Sequence, residues 1–335
     1  MHQAAYLGLA AAVFLTCSGC TGEKEAAKYR IAVIPKGTTH DFWKSIHAGA
    51  VQAARERGNA DVIWEGPAKE DQRSEQQQIV ERRASEGVNA ICLAPCDRTT
   101  LVAPVEEALK GGVPVVILDS GLELSDAIKN SDRYLGYVAT DNRQGGVEGA
   151  KRMLELLKDK KNARVMMIRY QAGSQSTEQR EAGFRETIRT VPSVAFIEAP
   201  DEAGATVDSA QRTAETLLSD QKELDGIFVP NESSTTGVLR ALEVLHREGQ
   251  VKLVGFDSSD ILINALRKGE IHGLVLQDPF DMGYQSVNRA IDFLQGKRPA
   301  ELIKNTNLQV ITPDNLDDPK IKPLYARDLQ PYLGS

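Results

Sequence analysis

Aromatic residues are scarce in this chain. They make up 5% of 335 residues, with 2 Trp and 8 Phe. Histidine and cysteine are also thin, at 5 and 4 copies. No zinc spacing, Walker A loop or G-x-S-x-G elbow occurs, so no metal, cofactor or nucleophilic triad is implied. The histidines (His2, His40, His47, His246 and His272) fall mostly on helical stretches, and His40 beside Asp41 offers a general base at most. Basic residues are outnumbered, 40 Lys+Arg against 47 Asp+Glu, for a net charge of −7. A sequence-independent nucleic-acid binder needs a basic surface, so that class is excluded. Beyond residue 16 no apolar run approaches the length of a membrane span.

Residues 1–22 carry no Lys, Arg, Asp or Glu, and residues 4–16 form one apolar run. That run fits a signal-peptide core and is too short to cross a bilayer comfortably. Cys17-Ser18-Gly19-Cys20 follows and resembles the bacterial lipoprotein cleavage signal. The resemblance implies that Cys20 becomes the lipid-modified first residue. Two features depart from that pattern: the n-region lacks Lys and Arg, and Cys17 stands where Leu is typical. An ordinary secretory signal cleaved nearby is the other reading. Residues 1–20 are thus read as a signal and 21–28 as a polar tether. Cys92 and Cys96 lie in ICLAPC. A disulfide is open to them in an oxidising compartment, but two buried thiols are preferred.

From Tyr29 onward, about 305 residues remain, enough for about two domains. Short β-rich runs alternate with amphipathic helical runs. Strands are predicted over 30–35, 61–65, 90–94, 114–119, 134–140, 164–170, 194–198, 226–230, 251–256 and 273–277. Helices fill the gaps, beginning near 42–57, with Asp41 as the expected cap and Gly58 as the stop. This rhythm reads as βαβ units building parallel sheets, with the same fold in both halves. The tail after Thr312 reads as surface wrapping.

Ligands bind at the carboxyl ends of strands in open α/β sheets. Lys36, His40, Phe42 and Trp43 follow the first strand. Asp119, Arg180, Asn231, Phe256-Asp257 and Gln277 stand at or after later ones. Aromatic faces suit the C–H face of a sugar, and carboxylates, a guanidinium and amides suit its hydroxyls. Taken singly, the aromatics read as core, the Asp and Asn as helix caps and Arg180 as a solvated charge.

The chain resembles periplasmic sugar-binding proteins of the ribose-binding (type I) family, receptors of ABC importers. The matching stretches are Phe42-Trp43 with Gly49-Ala50, PVVILDSG (114–121), VATDNRQGG (138–146), STEQREAGF (176–184), GIFVPNE (226–232), LVGFDSSD (253–260) and GLVLQDP (273–279). The resemblance implies two doubly wound α/β lobes joined by a three-segment hinge. It places one lobe over 29–137 plus 278–304 and the other over 138–277 plus 305–335. It implies ring stacking on Phe42 and Trp43, with hydrogen bonds from Asp119, Arg180, Asn231, Asp257 behind Phe256, and Gln277. Ribose binders have an arginine where Ser120 stands, an asparagine at His40, a small polar residue at Lys36, and a second-lobe aromatic near Ala205. These departures put ribose in doubt and leave a sugar or similar polyol favoured.

A repressor with the same two-lobed core needs a DNA-binding domain before it, and only the signal and tether precede Tyr29. The expected protein is a monomeric, membrane-anchored lipoprotein of the periplasm. It captures a monosaccharide by hinge closure for an importer permease; a ligand-sensing subunit docking on a chemoreceptor or sensor kinase fits the same sequence. Truncating Trp43 or Asp257 is expected to remove binding without loss of stability. Cys20→Ala is expected to release the protein from the membrane fraction on cell fractionation, and its retention there would contradict lipidation.

Overall fold

A computed structural model describes Met1 and residues 28–333. The signal, Cys20 and most of the tether lie outside the described residues. In chain order the first half comprises β1 (Tyr29–Ile34), α1 (Asp41–Arg57), β2 (Ala60–Trp64), α2 (Arg73–Ser85), β3 (Ala90–Leu93), α3 (Val102–Lys110), β4 (Val115–Leu118), α4 (Asp126–Lys129) and β5 (Tyr134–Ala139). The second comprises α5 (Asn142–Leu156), β6 (Ala163–Met167), α6 (Gln175–Ile188), β7 (Val194–Glu198), α7 (Val207–Asp220), β8 (Gly226–Phe228), α8 (Glu232–Val244), β9 (Lys252–Phe256), α9 (Asp260–Lys268) and β10 (Gly273–Gln277). The chain returns through α10 (Pro279–Leu294), β11 (Ile303–Asn305) and β12 (Leu308–Ile311), and ends in α11 (Gln330–Leu333).

Two six-stranded sheets result, ordered β11-β5-β4-β3-β1-β2 and β12-β10-β9-β8-β6-β7. The first five strands of each half therefore share one doubly wound order. The inner strands β3 (AICL) and β4 (VVIL) are apolar and wholly buried because helices cover both faces. All pairings are parallel except β10 with β12. Each sheet has a separate apolar core on either face. Cys92 and Cys96 are buried, separate thiols; burial pushes the Cys96 thiol up to about 12.

The chain passes between sheets after β5, after β10 and between β11 and β12. β5 belongs to the first sheet as far as Ala139, past the expected switch at Val138, and β11 keeps Asn305 there too. The tail also divides differently from the expectation. Leu316 and Ile321 pack in the second lobe's core. Beyond them Arg327 lies 3.8 Å over the Phe280 ring, and Tyr332 meets that ring at 5.4 Å, so the end of the chain returns to the first lobe through α10.

Close helix contacts fix the elements that carry the site. A Cβ on Gly49 would strike the Phe280 carbonyl, so α1 meets α10 backbone to backbone. A Cβ on Gly146 would strike the carbonyl of Arg180, which locks α5 onto α6 in the same way. Gly146→Val is expected to lower unfolding free energy by about 1–3 kcal/mol in urea titration, since overpacking must move α6. Unchanged stability would mean that this contact yields without cost.

Candidate functional site

The loop after β1 brings Lys36 and His40 to the start of α1. His40 occupies the N-cap position with extended backbone, but its side chain makes no cap bond. Asp41, expected as the cap, is the first helical residue and pairs with Lys44 at 2.8 Å. His40 instead turns to Glu70, with Nδ1 2.9 Å from Oε1. Glu70 also accepts from Trp43 Nε1 at 2.9 Å and from the Tyr170 hydroxyl at 2.8 Å. One buried carboxylate thus ties the α1 aromatics to the opposite lobe.

Phe42 and Trp43 pack edge to face, with centroids 5.0 Å apart. Trp43 is 2% exposed and sits in the core beneath α1 as well as on the cavity wall. Its truncation therefore costs stability, about 3–5 kcal/mol for a buried aromatic. This corrects the expectation that Trp43→Ala leaves the fold untouched.

Asp119 follows β4 and Asp257 follows β9, the matching strand of the second sheet. Both have left-handed backbone, φ 59° and 64°. Few non-glycine residues adopt that conformation, and Asp tolerates it better than most. It turns each carboxylate into the gap between the sheets. Lys36 Nζ lies 2.8 Å from Asp119 Oδ2 and donates to Ser176 Oγ across the gap at 2.9 Å. The charge absent at Ser120 thus returns through Lys36, and Ser120 Oγ accepts from the Ser176 N–H at 3.1 Å.

In the second lobe, α6 carries Arg180, which donates to Asn142 Oδ1 and the Pro230 carbonyl at 2.8 and 2.9 Å. Phe256 supports the guanidinium from beneath at 4.5 Å and is wholly buried, so it backs the cavity and does not line it. Arg180 lies 3.9 Å from Asp257, which also accepts from Gln277 Nε2 at 2.6 Å. Asn231 is at the N-cap position of α8 but caps nothing; its amide N–H goes to Ser233. Asp141, in contrast, is a true cap, accepting from the Gln144 N–H.

Lys36, His40, Phe42, Trp43, Asp119, Arg180, Asn231, Asp257 and Gln277 line one cavity. Glu70, Ser176, Thr177 and Glu232 line it too and were not assigned from the sequence. Ser176, Thr177 and Glu232 carried a usable signal, since each lies at a helix start after a strand. Glu70 had none, because it lies in the loop between β2 and α2. Ala205 is buried elsewhere, and the second lobe's aromatic at the gap, Tyr170, is engaged by Glu70. A wider cavity shares Phe42, Asp257 and Gln277 and reaches Tyr325 and Arg327.

Burial opposes charge on both His40 and Glu70, yet their mutual bond and attraction prevail. His40 rises to about 9 and Glu70 falls to about 2. Burial pushes Glu232 up to about 7, with the charge of His40 opposing and that of Asp257 adding. Burial also raises Asp257, against the pull of Arg180.

His40 stabilises the fold fully below its ordinary 6.5, and the contribution is lost as pH rises through about 9. Glu70 contributes above 4.5 and loses that contribution as pH falls through about 2. Stability in urea should therefore decline by up to about 3 kcal/mol between pH 6.5 and 9.5. Glu70→Gln should flatten this decline, and an equal decline in that variant would contradict the pairing.

The sequence profile of the periplasmic binding protein domain matches residues 31–298. A D-ribose/D-allose-binding protein of Pseudomonas aeruginosa is 26% identical over 301 residues, 87% of this chain and 92% of its own length. An ABC transporter solute-binding protein of Agrobacterium vitis, solved with bound D-fucose, is 29% identical with a TM-score of 0.83, covering 88% of this chain and 99% of its own. The periplasmic component of an ABC-type sugar transport system from Hahella chejuensis is 32% identical with a TM-score of 0.79, covering 84% and 99%. Profile, sequence and fold agree along most of the chain, which belongs to the periplasmic binding protein domain family and is a binding protein, not an enzyme.

Proposed function

We propose that this protein binds a monosaccharide or a similar polyol between its lobes and delivers it to an ABC importer from the periplasmic side. The observation that carries the reading is the cavity's composition. Two aromatic rings meet paired carboxylates, a guanidinium and two amides, at strand ends that converge from both sheets. A hydroxyl both donates and accepts, so a wall offering both kinds of partner can satisfy every hydroxyl of a small sugar. An epimer that leaves one buried group unpaired loses about 1–3 kcal/mol. The D-ribose/D-allose and D-fucose named for two relatives are ligands of this kind.

Binding proceeds by hinge closure about the three connecting segments near Thr140, Asp278 and Thr306. Closure joins two half-sites: Lys36, Phe42, Trp43 and Asp119 from the first lobe, and Arg180, Asn231 and Asp257 from the second. Cross-lobe bonds such as Gly121 N–H to Gln175 Oε1 (3.0 Å) and Arg98 N–H to the Gly173 carbonyl (2.8 Å) exist only with the lobes together. A ligand spanning both half-sites shifts the population toward this form, which the permease can read. Lipidation at Cys20 would keep the receptor beside its membrane partner.

The test is isothermal titration with neutral pentoses, hexoses and polyols. At least one should bind one to one and, at 100 times its Kd, stabilise the protein by about 2.7 kcal/mol. Asp257→Asn keeps the side-chain size and removes the charge, and should weaken that ligand by about 100-fold. No binding by any saccharide, or an unchanged affinity in Asp257→Asn, would contradict the reading.

A further inference from the structure

We infer that the ligand carries a protonated amine that seats against Glu232: the substrate class is an aminodeoxy sugar or amino polyol. This rests on the sugar-binding reading and makes it more specific.

The charges lining the cavity pair off almost completely. Lys36 lies 2.8 Å from Asp119, His40 2.9 Å from Glu70, and Arg180 3.9 Å from Asp257. Glu232 is the carboxylate left over. It is 9% exposed, and one oxygen accepts from the Phe42 N–H across the gap at 3.2 Å. Among the described residues no cation comes within ion-pair distance of it. A buried anion without a partner is costly unless it binds a proton or meets a cation.

A second observation identifies the missing partner as a donor. Asn231 Oδ1 and Gln277 Oε1 are buried and have no hydrogen-bond partner among the described residues. The orientation of Gln277 is set by the Asp257 carboxylate, which takes its N–H and leaves the carbonyl oxygen without a partner. Asn231 gives its N–H to Ser233 and likewise keeps its oxygen. Both residues and Glu232 line the same cavity. Three acceptors match an ammonium, which has three N–H donors and no lone pair. A hydroxyl has one proton to give, and its lone pairs would face the remaining acceptors. Arg180 and Ser176 supply donors for the ligand's hydroxyl oxygens.

Glu232 faces His40 and Asp41 from the α1 side, with Lys44 beyond, and Asp257 from the β9 end. Burial holds its carboxyl up at about 7. An ammonium arriving beside it would lower that value, so at neutral pH binding would expel the carboxyl proton to solvent while the amine keeps its own.

The test is calorimetric titration of the full chain at pH 7 in buffers of different ionisation enthalpy. The probes are 2-amino-2-deoxy and 3-amino-3-deoxy aldoses and 1-amino-1-deoxy alditols, each beside its hydroxyl parent. At least one amine should bind about 10- to 100-fold tighter than its parent, with net proton release. Glu232→Gln should bring that ratio near one and abolish proton release. Parents that bind as well as their amines, or a preference that persists in Glu232→Gln, would overturn the amine assignment and leave sugar binding standing. Binding of neither class would overturn both.

Discussion

Charge buried between two bodies must find partners, and this requirement organises the gap between the sheets. Lys36 is 3% exposed and Asp119 is 2% exposed. Each depends on the other, since removing one partner of a buried pair costs about 3–5 kcal/mol. Lys36 satisfies Asp119 within its own lobe and reaches Ser176 in the other. Glu70 likewise gathers His40 and Trp43 from one lobe and Tyr170 from the other. These bonds hold Trp43 and the carboxylates in one register. Positions that line the cavity and positions that hold the lobes to each other are largely the same.

The site is also a product of repetition. Each half of the chain winds its first five strands in the same order, so each has a crevice at the same strand ends. The fourth strand of that order ends in Asp119 in one half and Asp257 in the other, both left-handed. Each half adds a glycine-mediated helix contact, α1 on α10 and α5 on α6, beside the helix that presents its key side chains. The lobes then diverge in chemistry. The first supplies rings and a lysine, the second an arginine, amides and the unpaired Glu232. A ligand spanning both must be apolar on one face and rich in hydrogen-bonding groups around its edge.

Much of this was legible in the sequence because the signals were periodic and local. Apolar runs such as AICL and VVIL gave buried parallel strands, and the polar residues just after them gave the site. Pairing was not legible. Lys36 and Ser120 read as two unrelated departures from ribose binders, and only the fold brings Lys36 to Asp119. Glu70 lies in a loop with no periodic context, yet it links three residues of the site. Glu232 stands beside Asn231 at a helix start after a strand, and its lack of an ion-pair partner among the described residues shows only in the fold. Trp43 could be read as core or as cleft wall, and it is both. The tail's return to Phe280 depends on Arg327 and Tyr332 meeting one ring, which no spacing announces.

The central claim is that the cavity between the sheets is where the sugar lies. A crystal structure with the tightest-binding saccharide tests it most directly. The ring is expected against Phe42 and Trp43, with its oxygen or nitrogen atoms within hydrogen-bond distance of Asp119, Arg180, Asn231 and Asp257. A saccharide seated instead against Tyr325 and Arg327 in the wider cavity, or on the outer face of either lobe, would contradict it.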